Sequence, residues 1–153
     1  MKIVARLLIV LCLLGAAPAQ APCPTMQLAA TAVQASASTR DVVSTDGRVM
    51  HVARQPLLAF NDFTNASVTL TEGQISLNVG LTPSGSKRWA DFTVNNVGVT
   101  VAFMVGDKVV MAPRIKDPNS ASGFMVGPME RAEAQKLADS INRKCVPAAT
   151  DGR

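Results

Sequence analysis

Over residues 74–81 apolar and polar side chains alternate, with Ile75, Leu77, Val79 and Leu81 on one side and Ser76, Asn78 and Gly80 on the other. A period of two sends successive side chains to opposite faces, so Gln74–Leu81 is predicted as a strand with one face buried. Its partner is Ala66–Thr71, because Glu72-Gly73 between them makes a tight turn. Two more hairpins carry the same signature: Arg40–Thr45 and Arg48–Arg54 around Asp46-Gly47, then Val99–Val105 and Lys108–Ile115 around Gly106-Asp107. Two-residue turns need positive φ, which Gly and Asp tolerate best, and that gives these dipeptides their weight. Pro56 ends the first of these hairpins, and Pro113 and Pro118 close the second. Met26–Gln34 (MQLAATAVQ) alternates only in part and is weakened as a strand by its alanines. Gly123–Val126 is a short strand after the loop Asn119–Ser122.

Where the apolar period lengthens, helices are expected. Thr82 supplies an N-cap hydroxyl and Pro83 the first helical position, with Trp89, Phe92, Thr93 and Val97 following at helical spacing. Gly98 stands where a left-handed cap ends the helix. Gly127-Pro128 opens a last helix, Met129–Lys144, whose apolar stripe is Ala134, Leu137, Ala138 and Ile141. Leu57–Ala66 (LLAFNDFTNA) is a short helical turn with Asn61 and Asp62 as capping residues. The order hairpin, helix, hairpin, short strand, helix points to an α+β fold. The simplest form is an antiparallel sheet with two helices packed on one face, of the ferredoxin-like, split βαβ type. The expected segments are N-terminal strands and a helical turn over 22–64, the α+β domain over 65–145 and a flexible tail over 146–153.

The first 21 residues follow a different pattern. Lys2 and Arg6 precede the apolar run LLIVLCLLG and the small residues AAPAQA, the three parts of a secretory signal peptide. Cleavage is expected after Ala19 or Ala21. The apolar run is about half the ~20 residues that span a bilayer, and no later segment of the mature chain is long enough to cross one. A lipid anchor on Cys23 fits its Ala21-Pro22 lead-in poorly. The chain is therefore expected in a bacterial periplasm or secreted. Export also changes the cysteine count. Cys12 leaves with the signal, and in an oxidising compartment Cys23 and Cys145 most simply pair. On the chain-entropy model a loop of about 120 residues closed in this way adds roughly 4–5 kcal/mol of stability. The rival reading is a reactive thiol, which needs a neighbouring His or basic pocket.

Composition narrows the chemistry. The formal charge of +4 falls to +2 once Lys2 and Arg6 are removed, too little for a strong steering field. With no Tyr and one Trp, the scattered basic pairs lack stacking partners, so nucleic-acid binding is not expected. His51 is the one His of the chain and lies in a strand, which leaves a Ser-His-Asp triad or a zinc site without ligands. Glu130 and Glu133 complement the dipole of the last helix, and no glycine spacing makes a phosphate loop. The expectation is no catalytic residue, no metal and no cofactor. Met104, Met111, Met125 and Met129 cluster in the second half as a candidate binding surface, since Met adapts to varied partners; ordinary core filling is the alternative.

Four stretches in order, ISLNVGLTPSGSKRWADFTVNNVG, VAFMVGDKVVMAPRI, SASGFMVG and ERAEAQKLADSIN, resemble the head subdomain of the first periplasmic region of SecD and SecDF, membrane subunits that assist protein export through the Sec translocon. LLAFNDFTNASVTL resembles that family's approach to its first core strand. Thr82, Pro83, Gly98, Gly106, Asp107 and Pro113 are the fold-motif positions within this resemblance. The resemblance implies a non-catalytic periplasmic accessory module touching an unfolded or translocating polypeptide, or an envelope protein. The transmembrane helices and long base domain of SecD are not expected here, so a motor role is not implied. A small-ligand or envelope-surface module reusing the fold is the alternative.

Overall fold

The computed structural model describes residues 25–119 and 122–143. The expected signal peptide, Cys23, Cys145 and the tail lie outside the described residues, as do Ser120 and Ala121 of the expected loop. Eight strands are described: β1 (Met26–Ala32), β2 (Thr39–Ser44), β3 (Val49–Ala53), β4 (Phe63–Thr71), β5 (Gln74–Leu81), β6 (Val101–Val105), β7 (Lys108–Met111) and β8 (Gly123–Val126). Helix α1 (Pro83–Asn95) follows β5 and α2 (Arg131–Asn142) follows β8.

Strands β1, β3, β2, β7 and β6 close, in that order, into a five-stranded barrel, while β4, β5 and β8 form a separate three-stranded sheet. This overturns the ferredoxin-like expectation of one antiparallel sheet under two helices. Two pairings make the difference. β1 runs antiparallel beside β6 from Met26↔Val105 to Ala30↔Val101. β2 runs parallel to β7 through Val43↔Lys108 and Ser44↔Val109. Neither pairing is joined by a short turn, so no local turn signal announces it.

The alanines that made the first strand look weak are what the barrel needs. Ala29 stands opposite Ala102, and both are buried inside. A small barrel is filled by its own side chains, and five staves leave room for little. Val42, Val52, Met104 and Val109 complete that interior, with half-buried Met50 against them. β6 is buried on both faces. Ala102 and Met104 face the barrel interior, whereas Val101 and Phe103 face a larger core, which explains the unbroken apolar run VAFMV.

That larger core joins the outer wall of the barrel to the sheet and both helices. Met26, Leu28, Val101 and Phe103 meet Leu77, Val79 and Leu81 of β5, Trp89 of α1 and Leu137, Ala138 and Ile141 of α2. Phe103 stands edge-on to Phe124 at 5.9 Å and lies 6.3 Å from Phe63. Near the end of α2 the Asn142 side chain closes the edge of β4. Its Oδ1 accepts from Ala66 N–H at 2.9 Å and its Nδ2 donates to Ala66 C=O at 2.9 Å.

Several boundaries differ from expectation. Only Phe60–Asp62 forms a helical turn before β4, and β4 begins at Phe63 with a bulge before Ala66. Asp62 acts backwards, its Oδ2 accepting from Ala59 N–H at 2.8 Å. α1 ends at Asn95, so Val97 lies beyond the helix and is exposed. Gly98 does take positive φ (88°), but in the turn after the Asn96 cap, with its N–H donated to Ile115 C=O at 2.8 Å. α2 begins at Arg131, past the cis Gly127-Pro128 bond.

Candidate functional site

β2 stops at Ser44, opposite Val109, but β7 runs on to Met111. Past Val109 the strand has no ladder partner on the β2 side among the described residues, while its other side stays paired with β6 through Phe103↔Met111. The register steps from Met104↔Val109 to Phe103↔Met111, leaving Val110 as the extra residue of a bulge. Farther on, Pro113 C=O accepts from Val101 N–H at 2.9 Å. The β2–β7 seam that closes the barrel is therefore short, carried by Val43↔Lys108 and Ser44↔Val109.

Two clefts flank the seam. The mouth of the barrel is a hollow of about 500 Å³ whose apolar walls are Val49, Met50, Val109 and Met111, with Ser44, Asp46, Arg48 and Thr100 as polar lining. A second hollow of about 400 Å³ runs toward the start of α2 and is lined by Lys108, Val110, Pro128, Met129, Glu130 and Glu133. They share Thr45 and Val110, so they form one groove along the open edge of β7.

The charges divide into paired and unpaired groups. Arg48 Nε donates to Asp46 Oδ2 at 2.6 Å, and the Ser44 hydroxyl donates to the other carboxylate oxygen. These bonds, Arg48 first and Ser44 second, lower the Asp46 carboxyl to about 2. The same pairing raises the Arg48 guanidinium. Lys108, Glu130 and Glu133 hold no ion pair among the described residues. Glu130 is the N-cap of α2 without a side-chain cap bond, and Glu133 lies in its first turn.

The four methionines singled out from the sequence do not converge. Met111 and Met129 are half-buried and line the groove, the Met111 sulfur accepting from Gly127 N–H at 3.3 Å. Met125 is 54% exposed on the outer face of the three-stranded sheet, beside Asn65, Ser67 and Asn78. Met104 is wholly buried in the barrel, so it offers no binding surface. Its place follows from β6 being buried on both faces, which hairpin spacing does not reveal. Val49, Met50 and Ala112 were not singled out, yet they line the mouth. Their available signal was Asp46-Gly47, which sets Val49 and Met50 at a hairpin end.

The fold-motif positions take these places. Thr82 caps α1, its Oγ1 accepting from Gly85 N–H at 3.0 Å, with Pro83 at the first helical position. Gly106 turns β6 into β7 at φ 61°. Asp107 pairs with Arg40 at 2.6 Å. Pro113 lies past the end of β7. Away from the groove, His51 Nδ1 meets Asp41 Oδ1 at 2.7 Å across the β2–β3 ladder. The described residues contain no group of three or more His, Cys, Asp or Glu able to hold a metal, and no helix among them is long and apolar enough to cross a membrane.

Comparison with known proteins gives one consistent result. The family model of the SecDF P1 head subdomain matches residues 33–148. Protein translocase subunit SecD of Dictyoglomus turgidum is 34% identical over 109 residues, covering 63% of this chain and 27% of that protein. SecD of Thermobaculum terrenum is 34% identical over 83 residues, covering 53% of this chain and 16% of its own. The chain thus spans about a quarter or less of these curated relatives. Among solved structures, one described as a membrane component SecDF that enhances protein export superposes with a TM-score of 0.68 at 16% identity, covering 86% of this chain and 69% of that chain. SecDF in its super-membrane-facing form gives 0.66 at 16% identity, covering 82% and 19%. At such identity these two likenesses speak for the fold.

Proposed function

From the premise that this chain belongs to the SecDF P1 head subdomain family, we propose that it is a non-catalytic accessory module of protein export, working in the bacterial periplasm in contact with translocating or envelope polypeptides. The observation that carries this reading is the family match over residues 33–148. The groove along β7 supports it physically. Apolar and charged side chains share its lining, and past Val109 the chain has no ladder partner on the β2 side among the described residues, features suited to an extended chain. Both hollows open to solvent, which fits a passing polypeptide better than an enclosed small ligand.

The test is photocrosslinking in cells exporting a precursor protein. A crosslinker at Met111 or Met129 is expected to capture the exported chain, and one at Val94, exposed on α1 (62%), is not. Adducts from Val94 alone, or none from any position, would count against the proposal.

A further inference from the structure

We infer that the open edge of β7 takes up a short extended polypeptide segment as an added strand, with an apolar side chain in the barrel mouth and a basic side chain toward Glu130 and Glu133. This rests on the polypeptide-contact reading above and specifies its mode. Residues of an antiparallel strand direct their backbone groups alternately to the two sides. Pro113 C=O points to β6, where it accepts from Val101 N–H. Its neighbour Ala112 lies just past the end of β7, where the bridge Thr100↔Arg114 continues the antiparallel pattern. Ala112 therefore turns N–H and C=O to the open side, and it is exposed. Unpaired backbone groups of this kind are a template for another chain.

The groove also limits what can add. The bulge at Val110 interrupts the strand just before the open stretch, which confines pairing to a few residues. A bulge is one means by which an edge avoids open-ended self-assembly. A short segment escapes this limit. Beside the edge, Val49 stays 60% exposed next to half-buried Met50 and Met111, a seat for one apolar side chain. Asp46 and Arg48 neutralise each other, whereas Glu130 and Glu133 outnumber Lys108, so the unpaired charge at the α2 end favours a basic side chain.

The test uses the purified chain and capped nonapeptides of alternating Val and Ser carrying one Lys or one Glu, read by fluorescence polarisation. The Lys peptide is expected to bind about tenfold more tightly than the Glu peptide. Ala112→Pro removes the N–H on the open side and is expected to weaken binding by about tenfold, the worth of one backbone hydrogen bond. Glu130→Gln with Glu133→Gln is expected to abolish the Lys preference while binding persists. Backbone N-methylation of the peptide gives the same readout on the unaltered chain should Ala112→Pro disturb folding. Unchanged binding on N-methylation, no charge preference, or a dimer paired through this edge in equilibrium sedimentation overturns the inference. A precursor that still crosslinks at Met111 or Met129 after Ala112→Pro retires strand addition but keeps the export reading. Loss of all crosslinks in the unaltered chain retires both.

Discussion

The core between sheet, helices and outer barrel wall holds Phe60, Phe63, Trp89 and Phe103, with Phe124 packed against it. The barrel interior is built instead from Ala29, Val42, Val52, Ala102, Met104 and Val109. The larger core brings surfaces together face to face, so its volume accommodates aromatic rings. The smaller one is enclosed by a ring of five strands, whose circumference sets the side chains it admits. β6 belongs to both and couples them, since one strand supplies Phe103 to the first and Ala102 and Met104 to the second. Aromatic side chains should therefore be irreplaceable in one region and intolerable in the other.

The largest expected effect tests the first half of that contrast. Phe103 is 1% exposed and touches Phe63 and Phe124. Phe103→Ala removes the ring at the junction of the two cores and is expected to cost about 4 kcal/mol in denaturant unfolding. A loss below 1 kcal/mol, where the ordinary range is about 3–5 kcal/mol, would mean that barrel and sheet are not packed as one unit. The opposite change tests the second half. Ala102→Leu adds volume where Ala102 faces Ala29 and is expected to cost about 2 kcal/mol through overpacking. An unchanged midpoint would show that the barrel has room its register denies.

The same contrast separates what could be read in advance from what could not. Sheet and helices announce themselves locally: Glu72 and Gly73 both take positive φ at the β4–β5 turn, and Thr82 caps α1. Barrel closure depends on partners far apart in the chain, Ala29 with Ala102 and Val43 with Lys108. Small residues such as Ala29 carry little periodic signal, and a parallel pairing leaves no turn dipeptide behind. The candidate groove was legible only as Met111 and Met129, because the open edge exists where β2 turns away from β7. Met104 misled for the same reason: its hairpin was visible, but not the second layer that buries it.

A smaller effect sharpens the comparison at the sheet. The β4 edge is closed by a side chain, whereas the β7 edge past Val109 is open. Asn142→Ala removes both bonds to Ala66 and is expected to cost about 1 kcal/mol, with faster amide exchange at Ala66. If Ala66 stays equally protected, the edge is shielded by α2 packing and Asn142 is incidental.

The smallest effect lies outside both cores, at the β2–β3 turn. Bonds from Arg48 and Ser44 lower Asp46 from its ordinary 3.8 to about 2. A carboxyl lowered in the folded state contributes stability that is fully present above about pH 4 and is lost as pH falls toward 2. Because the turn is solvent-exposed, screening keeps that contribution slight and local. In an NMR titration the Asp46 carboxyl should therefore show a midpoint near the lowered value, returning toward 3.8 in Arg48→Gln. The thermal midpoint of unfolding should barely separate Arg48→Gln from the parent at neutral pH, because neither core touches this pair. A large difference would mean that the barrel mouth helps hold the ring closed, and the division between a packed interior and a loosely held rim would fail.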